Sequence, residues 1–239
     1  MLLAEIHGKY DAAIRDNEDY LTSAIFSHLR YVPPGPFWLA FCSRAKTLPI
    51  QGVEESLTAV LGEEYSPTRY ETLDVRFWPK SAGLGEPELA ICFTGSGQAP
   101  LVVLVEVKLW SPKSGHGEHD QLMRYLRIAD SIDHLMPPVP PNATVVVVYL
   151  TPREASSEVQ DSLSVYGDTA SSRRRLFRLQ WQDVIEAISE VIPGESGIGR
   201  LLLNDVREFL RKRGLEYFRG FGLPTAIDSL CEKCGSFFS

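Results

Sequence analysis

The 239-residue sequence has few cysteines, no long apolar run and a deficit of positive charge, and each shortage excludes something. Of the four cysteines, Cys42 and Cys92 are isolated and only Cys231 and Cys234 are close. That is not the disulfide framework of a small secreted scaffold. LCEKCGSF offers half of a zinc ribbon. A structural zinc needs four ligands, and no second C-x-x-C or H-x-H pair exists to supply them, so these thiols read as reduced and superficial. No run approaches the roughly 18 apolar residues that span a bilayer. The start, MLLAEIHGKYDAAIRDNEDY, is acidic where a signal peptide carries its apolar core, so a cytoplasmic protein without membrane contact is expected. The formal net charge of −7 argues against a general nucleic-acid binder. Any phosphate must be met by a local basic patch or through a partner. TGSGQAP lacks the G-x-x-x-x-G-K spacing of a P-loop, and no serine has a matching base pattern. There is no internal repeat.

What is present is the material of one α/β domain. At 44% hydrophobic residues the chain can bury a core unaided. Apolar periodicity predicts a helix over 11–30, an amphipathic helical stretch over 36–63 ending at Gly62, and helices over 119–135, 183–192 and 197–214. A short helix is expected near 157–165. Strands are predicted at 68–78, 88–93, 101–110, 143–152 and 176–181, with PKSAGLGEP as a loop and TGSGQAP as a hairpin-like turn. The order α-β-β-β-α-β, then β and α, implies helices covering a mostly buried mixed sheet. One domain over 1–239 is expected, with an N-terminal helical extension and a helical C-terminal part.

The chemistry gathers around LVVLVEVKLW (101–110). Eight of its ten residues are apolar, yet Glu106 and Lys108 stand in it. Two apart on a strand, they project from one face, while Val105 and Val107 point into packing. Buried charge is costly without a partner, a metal or water, so this strand should end at a polar cleft. Glu88 heads the strand before it, across a short turn, and antiparallel pairing would bring the two carboxylates level. Convergent oxygens of this kind suit Mg²⁺. Gln121 and Tyr125 share a face of the next helix. Asn17, Glu18, Asp19 and Thr22 make the first helix acidic, and Glu18 could add a carboxylate. His116 and His119 flank the site in a Gly-rich loop. Lys113 and the cluster Arg173, Arg174, Arg175 and Arg178 are the densest positive charge and the candidate nucleic-acid contacts.

An acid, then E-x-K on a strand, then a helix with Q-x-x-x-Y resembles the PD-(D/E)XK nuclease superfamily. The matching stretch is EPELAICFTGSGQAPLVVLVEVKLWSPKSGHGEHDQLMRYL (86–126). Weaker likeness to uncharacterised bacterial members extends to NEDYLTSAIFSHLRYVP, LQWQDVIEAI and RKRGLEYFRGF. The resemblance implies a restriction-endonuclease-like core and a metal-dependent endonuclease acting on DNA rather than RNA, with restriction or anti-phage defence as its setting. It makes Glu88, Glu106, Lys108 and Gln121 catalytic and Tyr125 supporting. It assigns Mg²⁺ or Mn²⁺ to Glu88, Glu106, Glu18 and the Val107 backbone carbonyl. A homodimer or a recruiting protein partner is in keeping with it. One departure stands out: the usual Pro-Asp is Pro87-Glu88, one methylene longer. That departure and the acidic charge favour the alternative, a catalytically silent nuclease-fold protein acting as a binding or assembly module.

Overall fold

A computed structural model describes residues 5–7, 17–132, 135–136 and 138–216. Five strands form the central sheet in the order β1–β3–β4–β6–β7: β1 (Thr72–Phe77), β3 (Leu89–Thr94), β4 (Leu101–Val107), β6 (Thr144–Thr151) and β7 (Leu176–Gln180). The first three are antiparallel neighbours, and β4, β6 and β7 run parallel. A two-stranded ribbon, β2 (Lys80–Ser81) with β5 (Leu135–Met136), stands beside it.

The greasy run of β4 follows from its place. It lies between β3 and β6 with helices on both faces, so all seven of its residues are buried. On one face Val103, Val105 and Val107 pack against α1 (Glu18–Leu29), α2 (Pro36–Arg44), α7 (Trp181–Val191) and α8 (Gly197–Lys212). On the other, Val102 and Leu104 meet α4 (Gln121–Asp130) and α5 (Ser156–Tyr166). Two short helices, α3 (Leu57–Leu61) and α6 (Ala170–Arg173), complete the set. No helix among the described residues is long and apolar enough to cross a membrane.

Three predicted helices change. The stretch 36–63 is two helices, not one. Pro49 interrupts the apolar period, Gln51 and Gly52 take positive φ, and Ile50 and Val53 exchange backbone hydrogen bonds of 2.8 and 3.1 Å across that turn. Gly62 does end the second of them, with φ 81°. The first helix starts at Glu18, because the Asn17 side chain caps it by accepting from the Tyr20 N–H at 2.7 Å. Residues 11–16 lie outside the described residues, as do Cys231 and Cys234. The helix predicted over 119–135 is shorter: Asp120 caps it at Met123 N–H, and residues 135–136 leave it to form β5.

Candidate active site

The site is assembled at the end of β4. Glu106 is 1% exposed, and its face is that of Val102 and Leu104. The β3–β4 register sets Leu89 against Val105, so Glu88 falls level with Glu106 on the same face. The lysine ammonium, Lys108 Nζ, lies 2.8 Å from Glu106 Oε1 and 3.5 Å from Glu18 Oε2. Its backbone is pinned on both sides: the Lys108 N–H donates to Leu150 O at 2.8 Å, and Trp181 Nε1–H donates to Lys108 O at 3.0 Å.

The helix motif works through Glu106. Gln121 Nε2 donates to Glu106 Oε1 at 2.8 Å and to the Tyr125 hydroxyl at 3.0 Å, and Gln121 Oε1 accepts from the Ser114 N–H. Tyr125 in turn donates to Glu86 O at 3.0 Å, tying α4 to the segment that carries Glu88. Glu18 anchors the loop after β4: its Oε1 accepts from Leu109 N–H at 2.9 Å and from the Ser111 hydroxyl at 2.6 Å. Glu18 therefore orients the loop and Lys108. The sequence did not single out Trp78, although it ends the alternating strand opposite Glu88. Its N–H donates to Glu88 O and its indole Nε1–H to Glu88 Oε2, both at 3.0 Å. Trp78 holds φ +47°, a costly conformation for a bulky residue.

The electrostatics are those of a site short of positive charge. Burial pushes the Glu88 carboxyl up to about 7, helped by Glu106 and Asp19 and opposed by the Trp78 N–H and Lys108. Burial also raises Glu106 above the usual carboxylate range, even against Lys108. Lys108 is itself held above the ordinary lysine value: desolvation lowers it, but Glu106 and Glu18 outweigh that. Glu18 falls below its ordinary value. Burial works to raise it, and the Leu109 N–H, Ser111 and Lys108 together prevail. One atom is left over: Glu106 Oε2 is buried without a hydrogen-bond partner. An orphaned carboxylate oxygen with a second carboxylate beside it is a start of the oxygen donor set that a hard divalent cation takes. No group of three or more His, Cys, Asp or Glu side chains among the described residues could hold a metal. A cation here would thus rest on Glu88, Glu106, the Val107 carbonyl and oxygens from water or substrate.

A pH dependence follows. The folded protein holds the Glu88 proton up to about pH 7, whereas the unfolded chain releases it near 4.5. Between those values the folded state binds more protons, so in chelator the Glu88 contribution to stability falls as pH rises through this window. Glu88→Gln should remove that component. Melting curves of both proteins in EDTA from pH 5 to about 8 check it, and parallel profiles would contradict it.

The basic residues are placed differently from what the sequence implied. Arg173 pairs with Asp168 at 2.6 Å, Arg174 with Glu55 at 2.9 Å and Arg175 with Asp130 at 2.6 Å. Arg178 is buried, paired with Glu54 at 2.5 Å and with Glu154, and donates to Thr47 O at 3.1 Å. Lys113 is buried against Asp120 and Ser162. Each of these five cations is thus ion-paired with a carboxylate of the chain. Arg178→Ala should accordingly destabilise by about 2 kcal/mol, since it strands the Thr47 carbonyl. The triple Ala variant of Arg173, Arg174 and Arg175 removes only solvent-screened surface pairs and should unfold close to wild type. Urea unfolding of the two variants distinguishes these outcomes.

The fold and site thus define a mixed α/β protein with two carboxylates and a lysine converging at one end of a buried strand. No protein-family model, no curated protein and no solved structure matches the chain.

Proposed function

We propose that this protein is a metal-dependent endonuclease of the PD-(D/E)XK kind, hydrolysing phosphodiester bonds in DNA with Mg²⁺ or Mn²⁺. The observation that carries the reading is the unpartnered Glu106 Oε2, buried opposite Glu88 and two residues before Lys108. Support comes from the order of the elements as well. In α1, β1, β3, β4, α4 and β6 the chain runs α-β-β-β-α-β around the site. A role in restriction or anti-phage defence rests on family analogy alone.

The residues divide the work. Glu88 and Glu106 bind the cation, and Gln121 and Trp78 hold those two carboxylates in place. When bound, the cation lowers the pKa of a water and neutralises charge on the phosphoryl oxygens. Lys108 is ion-paired to Glu106 and Glu18. It supplies fixed positive charge where the phosphorane develops negative charge, and it orients the attacking water. Incubation of plasmid and of single-stranded substrates with Mg²⁺ or Mn²⁺ tests the proposal. Metal-dependent nicking that Lys108→Met abolishes supports it. Cation binding with every substrate left intact would instead favour the silent binding or assembly module.

A further inference from the structure

The arginines that looked free in sequence are paired, but one that drew no attention is not. Arg124 lies on α4, one residue before Tyr125, and its Nε is buried without a hydrogen-bond partner. Arg178, Arg207 and Arg213 also have an unpartnered Nε, but each of those guanidiniums has a carboxylate partner. Among the described residues, only Arg124 combines a buried unpartnered Nε with the absence of any ion pair. Beside it stands a second orphan. Ser81, on β2, is 5% exposed and its hydroxyl has no partner. Both residues line one cavity of about 600 Å³, open to solvent, together with Lys80, Gly85, Glu86 and Met136.

Buried donors without acceptors are expensive, so two residues that carry them and line one cavity point to an acceptor that the chain does not supply. The lining carries two cations and one carboxylate, Lys80 lying 3.3 Å from Glu86. Its net charge is therefore positive in a protein whose net charge is −7. A guanidinium fork, a hydroxyl and an ammonium match the oxygens of a phosphate group. Gly85, at φ +109°, brings the backbone close to the guanidinium: a Cβ there would lie 3.6 Å from Tyr125 Cε1 and 3.7 Å from Arg124 Nη1. Glu86, whose carbonyl accepts from Tyr125, is two residues from Glu88, at most about 7 Å along the chain.

We propose that the cavity between α4 and the β2–β5 ribbon is a phosphate-binding site, with Arg124 and Ser81 as its principal donors. Its ligand is a backbone phosphate adjacent to the one bound at Glu88 and Glu106. This last assignment rests on the nuclease reading. The phosphate site itself does not, and a free phosphate-bearing ligand would use the same donors.

Two measurements test it on the full chain. The first is anisotropy of a labelled DNA oligonucleotide, with Ca²⁺ in place of Mg²⁺, at about 50 and about 200 mM salt. The second is the melting shift produced by inorganic pyrophosphate. Arg124→Gln should weaken DNA binding about tenfold and reduce the salt slope by about one, as loss of one phosphate contact does. Ser81→Ala should weaken binding about threefold. Arg200→Gln, which removes an exposed guanidinium on α8, should leave binding unchanged. Arg124→Lys, which keeps the charge without the fork, should fall between wild type and Arg124→Gln, and it guards against a folding defect in the latter. If the pyrophosphate shift is lost in Arg124→Gln while DNA affinity is kept, the site stands and its ligand is a free phosphate. If Arg124→Gln and Ser81→Ala match wild type in both measurements, the site is refuted. Cleavage enters neither measurement, so failure of the nuclease reading shows separately, in the Lys108 assay.

Discussion

Lys108→Met and Glu106→Gln should each abolish metal-dependent cleavage, lowering it at least 10²–10³-fold, the loss that follows removal of one preorganised charge at a transition state. The two changes should differ in stability. Lys108→Met keeps the stem but leaves Glu106, almost fully buried, facing no cation. Breaking a buried pair on one side costs about 3–5 kcal/mol unless the carboxyl takes up a proton instead, which burial already favours. The double variant removes both charges and should be more stable than Lys108→Met alone while staying inactive. Such non-additivity is expected of groups in direct contact. Cleavage assays beside urea unfolding of both singles and the double separate chemistry from folding. A fully active Lys108→Met that unfolds like wild type would remove the lysine from the mechanism.

The second large effect concerns Glu88. In chelator, two carboxylates meet in a desolvated place, and the charge on Glu106 is among the causes that raise Glu88 to about 7. A divalent cation relieves that repulsion and binds only the folded arrangement. It should stabilise by about 2.7 kcal/mol when present at a hundred times its dissociation constant. Because a ligand carboxyl must lose its proton, cation affinity should rise with pH towards 7 and level off above it. Glu88→Ala should erase most of the stabilisation. Glu88→Asp decides what the extra methylene does. If glutamate reaches the same cation as the shorter side chain would, aspartate keeps the metal-induced melting shift and keeps or raises cleavage. If the site has been retired from catalysis, aspartate restores nothing. A Mn²⁺-induced shift identical in wild type, Glu88→Ala and Glu88→Asp would show that Glu88 is no ligand.

Much of the site was legible because the relations involved are local. The two-residue period of a strand put Glu106 and Lys108 on one face and Val105 and Val107 on the other, in agreement with the packing of β4. TGSGQAP, too short for any crossover, forced antiparallel pairing and so brought Glu88 level with Glu106. Four residues apart on a helix, Gln121 and Tyr125 had to share a face, and a 3.0 Å hydrogen bond joins them. The pairing of Arg174 and Arg178 was decided by tertiary structure alone. Glu55 reaches Arg174 from 119 residues away and Glu54 reaches Arg178 from 124, and no periodicity encodes such approaches. Trp78 became a partner of Glu88 only through the β1–β3 pairing. The β2–β5 ribbon has two residues in each strand, too few to show a period. Neither that ribbon nor the cavity it forms with Arg124 could be read in advance. Alternation and helical spacing state which way a side chain points, but the partner it meets depends on how distant segments pack, and that is a property of the whole fold.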